Sequence, residues 1–301
     1  MSSVDRLAVG PGSGVQPNTE FASKSWVIGP NTLSFADPAV LKSIYGLNKG
    51  YIKSDFYIVQ QSVVKGHRLA SLFSTTNNDF HSQFRRSVNS AFSMSALVQY
   101  EPFVDNTTKL FLNQTEKLFA GKPEGCDFTQ WLQFYAFDVI GEITYSKRHG
   151  FIEKNEDVEG IVGQIPFLDL VFLKNPIYLK LSQWGLFDST FPVARFARAR
   201  MAERLIPELK SDAVLPTTDI KKQALGQDLL SKFIAAREAR PEFMSDTLVQ
   251  TMAVSMAFAG SETTAITLSA VFYYLLRNKS SYYKLQKELD EASKAGAFFG
   301  L

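Results

Sequence analysis

The sequence predicts a mainly α-helical fold with a small β component near its start. Three observations carry that expectation. Apolar residues recur at helical spacing from Asn78 onward. Between Asp246 and Arg277 lie thirty residues with a single charge, Glu262, the pattern of a long buried central helix. Nothing in the chain alternates strand and helix in the way a parallel sheet requires.

The elements follow in order. Trp26-Val27-Ile28 reads as a short strand, Gly29-Pro30-Asn31 as a turn, and Thr32 to Phe35 as a second strand. Asp37-Pro38 then opens a helix, since Asp caps and Pro suits the first helical position, and Gly46 ends it. Asn78 to Phe92 is helical and basic on one side, with Ser93 or Ser95 starting the next element. Glu101 to Ala120 is an amphipathic helix between Pro102 and Gly121. Asp127 caps a helix running to about Ser146, with Trp131, Leu132, Phe134, Tyr135, Val139, Ile140 and Ile143 on a wide apolar face.

Proline and aromatic residues between Pro166 and Pro192 predict a looser, partly exposed region. Helices follow near Val193 to Leu209 and Gln227 to Ala239. Ser245 caps the long helix, with Asp246 favourable to its dipole. At 1.5 Å per residue it runs to Asn278 over roughly 50 Å. The last helix, Ser281 to Lys294, is solvated and carries Lys284/Glu288 and Lys287/Glu291 one turn apart.

Composition excludes several function classes. The 301 residues are 45% hydrophobic and 21% charged, enough for one large domain or two modest ones. A net charge of +2 gives no electrostatic case for nucleic acid or an acidic membrane. Cys126 is the single cysteine, which rules out an internal disulfide and favours an intracellular setting. With His67, His81 and His149 it matches no metal-ligand spacing. Residues 1–24 read as a flexible leader with no apolar core of signal or anchor length. Met252 to Leu276 is the one stretch resembling a membrane span, but Glu262, the nearby hydroxyls and Gly260 favour a buried helix of a soluble protein.

The chemistry concentrates at Ala259-Gly260-Ser261-Glu262-Thr263-Thr264. Ala259 and Gly260 remove side-chain bulk, so a flat ligand could approach the backbone, while Glu262 and Thr263 set an acid and a hydroxyl beside the gap. A mid-helix Thr or Ser also diverts a backbone hydrogen bond. A small-residue helix crossing with a satisfied, buried Glu262 accounts for the same residues and stands beside the ligand reading. His81 and Arg85, four residues apart, share a helix face and could clamp a carboxylate or phosphate. The alternative is an ordinary solvated face. Arg86 points elsewhere. Asp138, buried by pattern, anchors a neighbouring loop or arginine, and Cys126 is an inert residue near a helix start. No nucleophile motif, phosphate loop or dinucleotide fingerprint is present.

Taken in order, the segments Gly29 to Pro38, His81 to Arg86 with Ala91-Phe92-Ser93, Phe137 to Glu142 with Gly150-Phe151, Asp228 to Leu230, Ala259 to Thr264 and Leu285 to Asp290 resemble one family. It is the cytochrome P-450 superfamily of haem-thiolate monooxygenases, in a fungal style. The resemblance spans roughly residues 25 to 295. It implies that His81 and Arg85 hold a haem propionate and that Ala259 and Gly260 lie over the haem face. It further implies that Glu262 and Thr263 form the acid–alcohol pair that delivers protons during dioxygen activation. No metal ligand is assigned. The implied partners are a small apolar substrate and an NADPH reductase, at the endoplasmic reticulum membrane in full-length relatives.

The family's Glu-x-x-Arg pair and the cysteine loop that supplies the axial thiolate are not in the sequence, and the context of Cys126 matches neither. No anchoring helix precedes residue 25. The expectation is therefore an N-terminal portion of the cytochrome P-450 fold, an incomplete domain over 25–301 truncated at both ends, cytoplasmic, binding haem poorly and inactive. The alternative function is a non-catalytic helical remnant that binds apolar ligands or a partner.

Overall fold

Contacts divide the chain into two units, Met1–Lys53 and Ser54–Leu301. The computed structural model describes residues 25–30, 32–46, 51–64, 66–123, 125–163, 176–186, 192–205 and 228–296. The leader expected at residues 1–24 lies outside them, as do the end of the helix expected at Leu209 and the tail after Gly296.

In the first unit, β1 (Ser25–Gly29) pairs antiparallel with β2 (Thr32–Phe35), Trp26 facing Ser34 and Val27 facing Leu33. The expected strand–turn–strand is a two-stranded hairpin. Asp37 then accepts from the Ala39 amide at 2.9 Å, capping a 3-10 turn over Pro38–Val40 that leads into α1 (Leu41–Ile44).

The second unit is mainly helical. A short hairpin, β3 (Ser62–Val64) with β4 (His67–Leu69), turns at Gly66, whose φ of 74° suits glycine. Then come α2 (Asn78–Val88), α3 (Met94–Val98), α4 (Glu101–Phe119), α5 (Phe128–Tyr145) and α6 (Phe151–Lys154). After them run α7 (Pro176–Gln183), α8 (Pro192–Leu205), α9 (Leu229–Ala239), α10 (Asp246–Arg277) and α11 (Lys279–Lys294). The predicted caps act as expected. Ser93, Asp127 and Ser245 each accept from an amide three residues on, starting α3, α5 and α10. Glu101–Phe119 ends just before Gly121, which sits at φ 70°.

The core forms where α5 and α10 run antiparallel. Phe128 meets Phe272 edge to face at 5.0 Å, Ile140 meets Gly260, and the Tyr145 hydroxyl donates to the Ala253 carbonyl at 3.1 Å. On its other side α5 packs against α4, where Phe111 stacks on Trp131 and the indole N–H donates to Thr115 Oγ1 at 2.7 Å. α8 and α9 close over the first half of α10.

Burial in α10 is uneven. Val249 to Ala265 supply its buried residues, whereas Ile266, Val271, Tyr273, Tyr274 and Leu276 are exposed. Burial of the central helix is thus confined to the part flanked by α5, α8 and α9. Beyond Ala265 the described neighbours are the start of α5, at Phe128, and α11. No helix among the described residues is long and apolar enough to cross a membrane.

Candidate functional site

Among the surfaces that α10 leaves exposed is one stripe of small residues. Residues 259, 263, 267 and 270 follow one another around the helix at three- and four-residue steps, and so share a face. Ala259, Thr263, Thr267 and Ala270 are all exposed, and Ile266 lies beside them. The opposite face, with Ala257, Ser261 and Ala265, is buried. The stripe continues into an open groove of about 620 Å³ lined by Ile266, Thr267, Ala270, Val271 and Tyr274, with Asn278 at its end.

Two hydroxyls on the stripe bond back into their own helix. Thr263 Oγ1 donates to the Ala259 carbonyl and Thr267 Oγ1 to the Thr263 carbonyl, each at 2.7 Å. The Thr263 proton is thereby held, and the lone pairs of its oxygen are left to accept from whatever lies on the bare face. Glu262 adjoins it, partly exposed rather than buried. The expectation of a costly buried carboxylate is not met: at this point of α10 the burying neighbours lie across the helix, and the carboxyl reaches water.

Gly260 also differs from the expected gap. A Cβ there would stand 2.9 Å from Ile140 Cδ1 and 3.0 Å from Ile140 Cγ1. The room that glycine leaves is taken by α5, as in a close helix crossing. Small size at 259 and 260 therefore serves two faces, Ala259 toward the bare stripe and Gly260 toward α5.

His81 and Arg85 lie on α2 beside Phe84 and Val88, at the edge of the side that the helix buries. Phe80 and Phe84 fix that helix by packing on Phe243 at 5.6 and 6.3 Å, and Asn77 caps it. His81 is half-buried and Arg85 exposed. Arg86 folds back, its Nε donating to the Ser82 carbonyl at 3.4 Å, so it does point elsewhere. The two candidate sets thus stand on different helices, α2 and α10.

Cys126 is exposed and immediately precedes the Asp127 cap of α5. Two residues on, Phe128 packs on Phe272, thirteen positions along α10 from Ala259 and nine from Thr263. The bare stripe leaves room for the face of a flat, apolar group, His81 and Arg85 on α2 offer donors to an anion, and the stripe itself carries no thiol. Among the described residues no cluster of three metal-ligating side chains occurs.

Two further groupings hold the scaffold. Asp138, fully buried, accepts from the amides of Gly150, Phe151 and Ile152 at 2.8, 3.4 and 2.9 Å, the loop anchor its pattern predicted. Burial pushes its carboxyl up to about 6 against the pull of those amides. Asp228, at 0% exposure, caps α9 while accepting from Ser146 Oγ at 2.7 Å and from both terminal nitrogens of Arg204. The sequence carried Asp228 only as part of a motif, and nothing near it pointed to Arg204 across twenty-four residues. His149 was legible only as an unassigned histidine, and it is buried in a cage of aromatic rings.

The family model described as Cytochrome P450 matches residues 25–297. A cytochrome P450 monooxygenase of Aspergillus terreus is 36% identical over 282 residues, covering 89% of this chain and 55% of that protein. The monooxygenase cicH of Emericella nidulans is 36% identical over 284 residues, covering 89% and 53%. Another from Emericella nidulans, pkfB, is 32% identical over 274 residues, covering 87% and 51%. The chain spans about half the length of the curated relatives it matches.

Proposed function

The chain belongs to the cytochrome P450 family, and from that premise we propose that the bare stripe of α10 is the dioxygen-side face of a haem site. The whole protein would insert one oxygen atom of dioxygen into a small apolar organic substrate, in fungal secondary metabolism, with electrons from an NADPH reductase. The observation that carries this reading is the exposed, unbulky row of Ala259 and Thr263, with the threonine proton held by the Ala259 carbonyl at 2.7 Å.

Each residue takes a distinct part. Haem supplies the oxidising chemistry when bound. Ala259 keeps the surface flat enough for a planar group. Thr263, its own proton donated inward, accepts a hydrogen bond from the ligand side and passes a proton when its rotor turns. Glu262, next to it and reached by water, exchanges protons with solvent. Gly260 brings α5 against α10 and so fixes the stripe. His81 and Arg85 would hold a haem propionate, Arg85 as a fork with fixed charge.

The thiolate is the part these 301 residues do not provide, since Cys126 is their one thiol and stands just before the start of α5, which packs at the Phe272 end of α10. By itself this polypeptide binds haem weakly and does not turn over. Titration with hemin tests the assignments without any need for activity. Ala259→Phe, which blocks the stripe, and Arg85→Ala, which removes a carboxylate partner, each weaken binding about tenfold, the scale of one charge-assisted contact. Unchanged binding in both variants would refute the placement. The groove beyond Ile266 supports a second reading, capture of apolar ligands without turnover. Saturable binding of such ligands in the absence of haem would favour it.

A further inference from the structure

Outside the stripe, the most unusual group is His149. It is 7% exposed, and neither ring nitrogen has a hydrogen-bond partner among the described residues. A buried polar atom of this kind ordinarily finds a partner. Its ring lies 4.1 Å, centroid to centroid, from Phe196 of α8, tilted by 33°. Phe137 and Tyr145 of α5 meet it edge-on at 6.1 and 6.3 Å, and Phe151 of α6 closes the cage at 5.7 Å. It also rests directly on the backbone of α5, because a Cβ at Gly141 would stand 2.8 Å from His149 Cδ2.

We propose that His149 is an acid-released latch: its neutral ring fastens the turn after α5 to α8, and protonation of that ring lets α8 open.

The charged groups around the ring leave an imidazolium without support. On α5, Asp138 is occupied by the amides of Gly150, Phe151 and Ile152, and Glu142 by Arg148 at 3.0 Å. On α6, Glu153 takes the other end of Arg148. At the start of α9, Asp228 takes Arg204 and Ser146. α10 carries no charge between Asp246 and Glu262. α8 contributes Arg200, whose guanidinium lies 5.1 Å from the centroid of the same Phe196 ring; its Nη2 pairs with Glu203 at 2.5 Å, while Nε and Nη1 are buried without partners among the described residues. A cation thus faces the ring, and each nearby carboxylate is engaged elsewhere.

Burial first, and Arg200 second, push the imidazole down to about 3 from an ordinary value of 6.5. A depressed value in the closed state means that the latch is at full strength above pH 6.5 and drains as pH falls toward 3. Between pH 7.5 and pH 5 the opening equilibrium would rise about 30-fold from this group alone. Asp138 works against it. Its raised value favours the closed state as pH falls from about 6, so the latch is read as a difference between proteins.

The test is amide hydrogen exchange of residues 146–152 and of α8 at pH 7.5 and pH 5, referred to an unfolded control at each pH. His149→Phe keeps an aromatic ring in the cage and removes the proton site. We expect acid-induced opening of α8 to be about 30-fold smaller in His149→Phe than in the parent chain. Equal pH dependence in the two would overturn the latch. Should that variant fail to fold, Arg200→Met serves, because loss of the facing cation raises the closed-state affinity for a proton and shrinks the same pH effect. Nuclear magnetic resonance of the three histidine rings gives an independent readout. The His149 signal remains neutral at pH 5 while α8 is closed, and a ring that titrates near 6.5 with α8 protection unchanged would equally overturn the proposal.

Discussion

Replacing Gly260 with alanine separates the two accounts of the small residues on α10. If α5 fills the space that glycine leaves, the new methyl meets Ile140 Cδ1 and Cγ1 at 2.9 and 3.0 Å, too close for carbon atoms. Overpacking of this size costs about 1–3 kcal/mol. Alanine in a helix interior returns about 1 kcal/mol relative to glycine, so Gly260→Ala should destabilise the chain by up to about 2 kcal/mol. The sign reverses when Ile140 is truncated. In an Ile140→Ala background the clash is gone, and Gly260→Ala should stabilise by up to about 1 kcal/mol. The coupling between the two sites is therefore about 1–3 kcal/mol, measurable by urea denaturation followed by far-ultraviolet circular dichroism across the double-mutant cycle. Additivity within about 0.5 kcal/mol would refute the reasoning, and would return Gly260 to the ligand face that its sequence context suggested.

Two further outcomes follow from the buried carboxylates. Arg204→Met leaves Asp228 buried and uncompensated and should cost about 3–5 kcal/mol by urea denaturation, while Arg204→Met combined with Asp228→Leu should recover part of it; a cost below about 1 kcal/mol would contradict the pairing. Asp138→Asn turns an amide group against the Gly150 or Ile152 N–H and should cost about 1–3 kcal/mol at pH 7.5. It should also abolish the stability that Asp138 adds at low pH and loses as pH rises from 3.8 to about 6. A pH profile identical to the parent chain would show that the carboxyl titrates as an exposed one.

Helix positions were legible because they rest on local signals. Ser93, Asp127 and Ser245 cap where their side chains can reach the next free amides, and Gly121 takes the positive φ that ends α4. Asp138 could be read as a buried anchor because a lone acid on an apolar helix face has few other uses, although its partners, three consecutive amides, come from the turn beyond the helix. The stripe was half legible. Spacing puts Ala259 and Thr263 on one face, but which face a neighbouring helix covers depends on long-range packing. Gly260 turned out to face Ile140, 120 positions earlier, and Glu262 to reach water. His149 could not have been singled out, because its cage is assembled from α5, α6 and α8, and nothing in its immediate neighbours announces burial.

The central claim, that this polypeptide carries the dioxygen-side face and carboxylate contacts of a haem site without its thiolate, meets its most direct test in one spectrum. Hemin is added to the purified 301-residue chain, reduced with dithionite and exposed to carbon monoxide. Weak binding, no red-shifted Soret band of thiolate-ligated haem, and the same spectrum for Cys126→Ser are expected. A red-shifted band in the parent chain that vanishes in Cys126→Ser would contradict the claim, because Cys126 would then reach the iron from beside Phe128, which packs at the Phe272 end of α10.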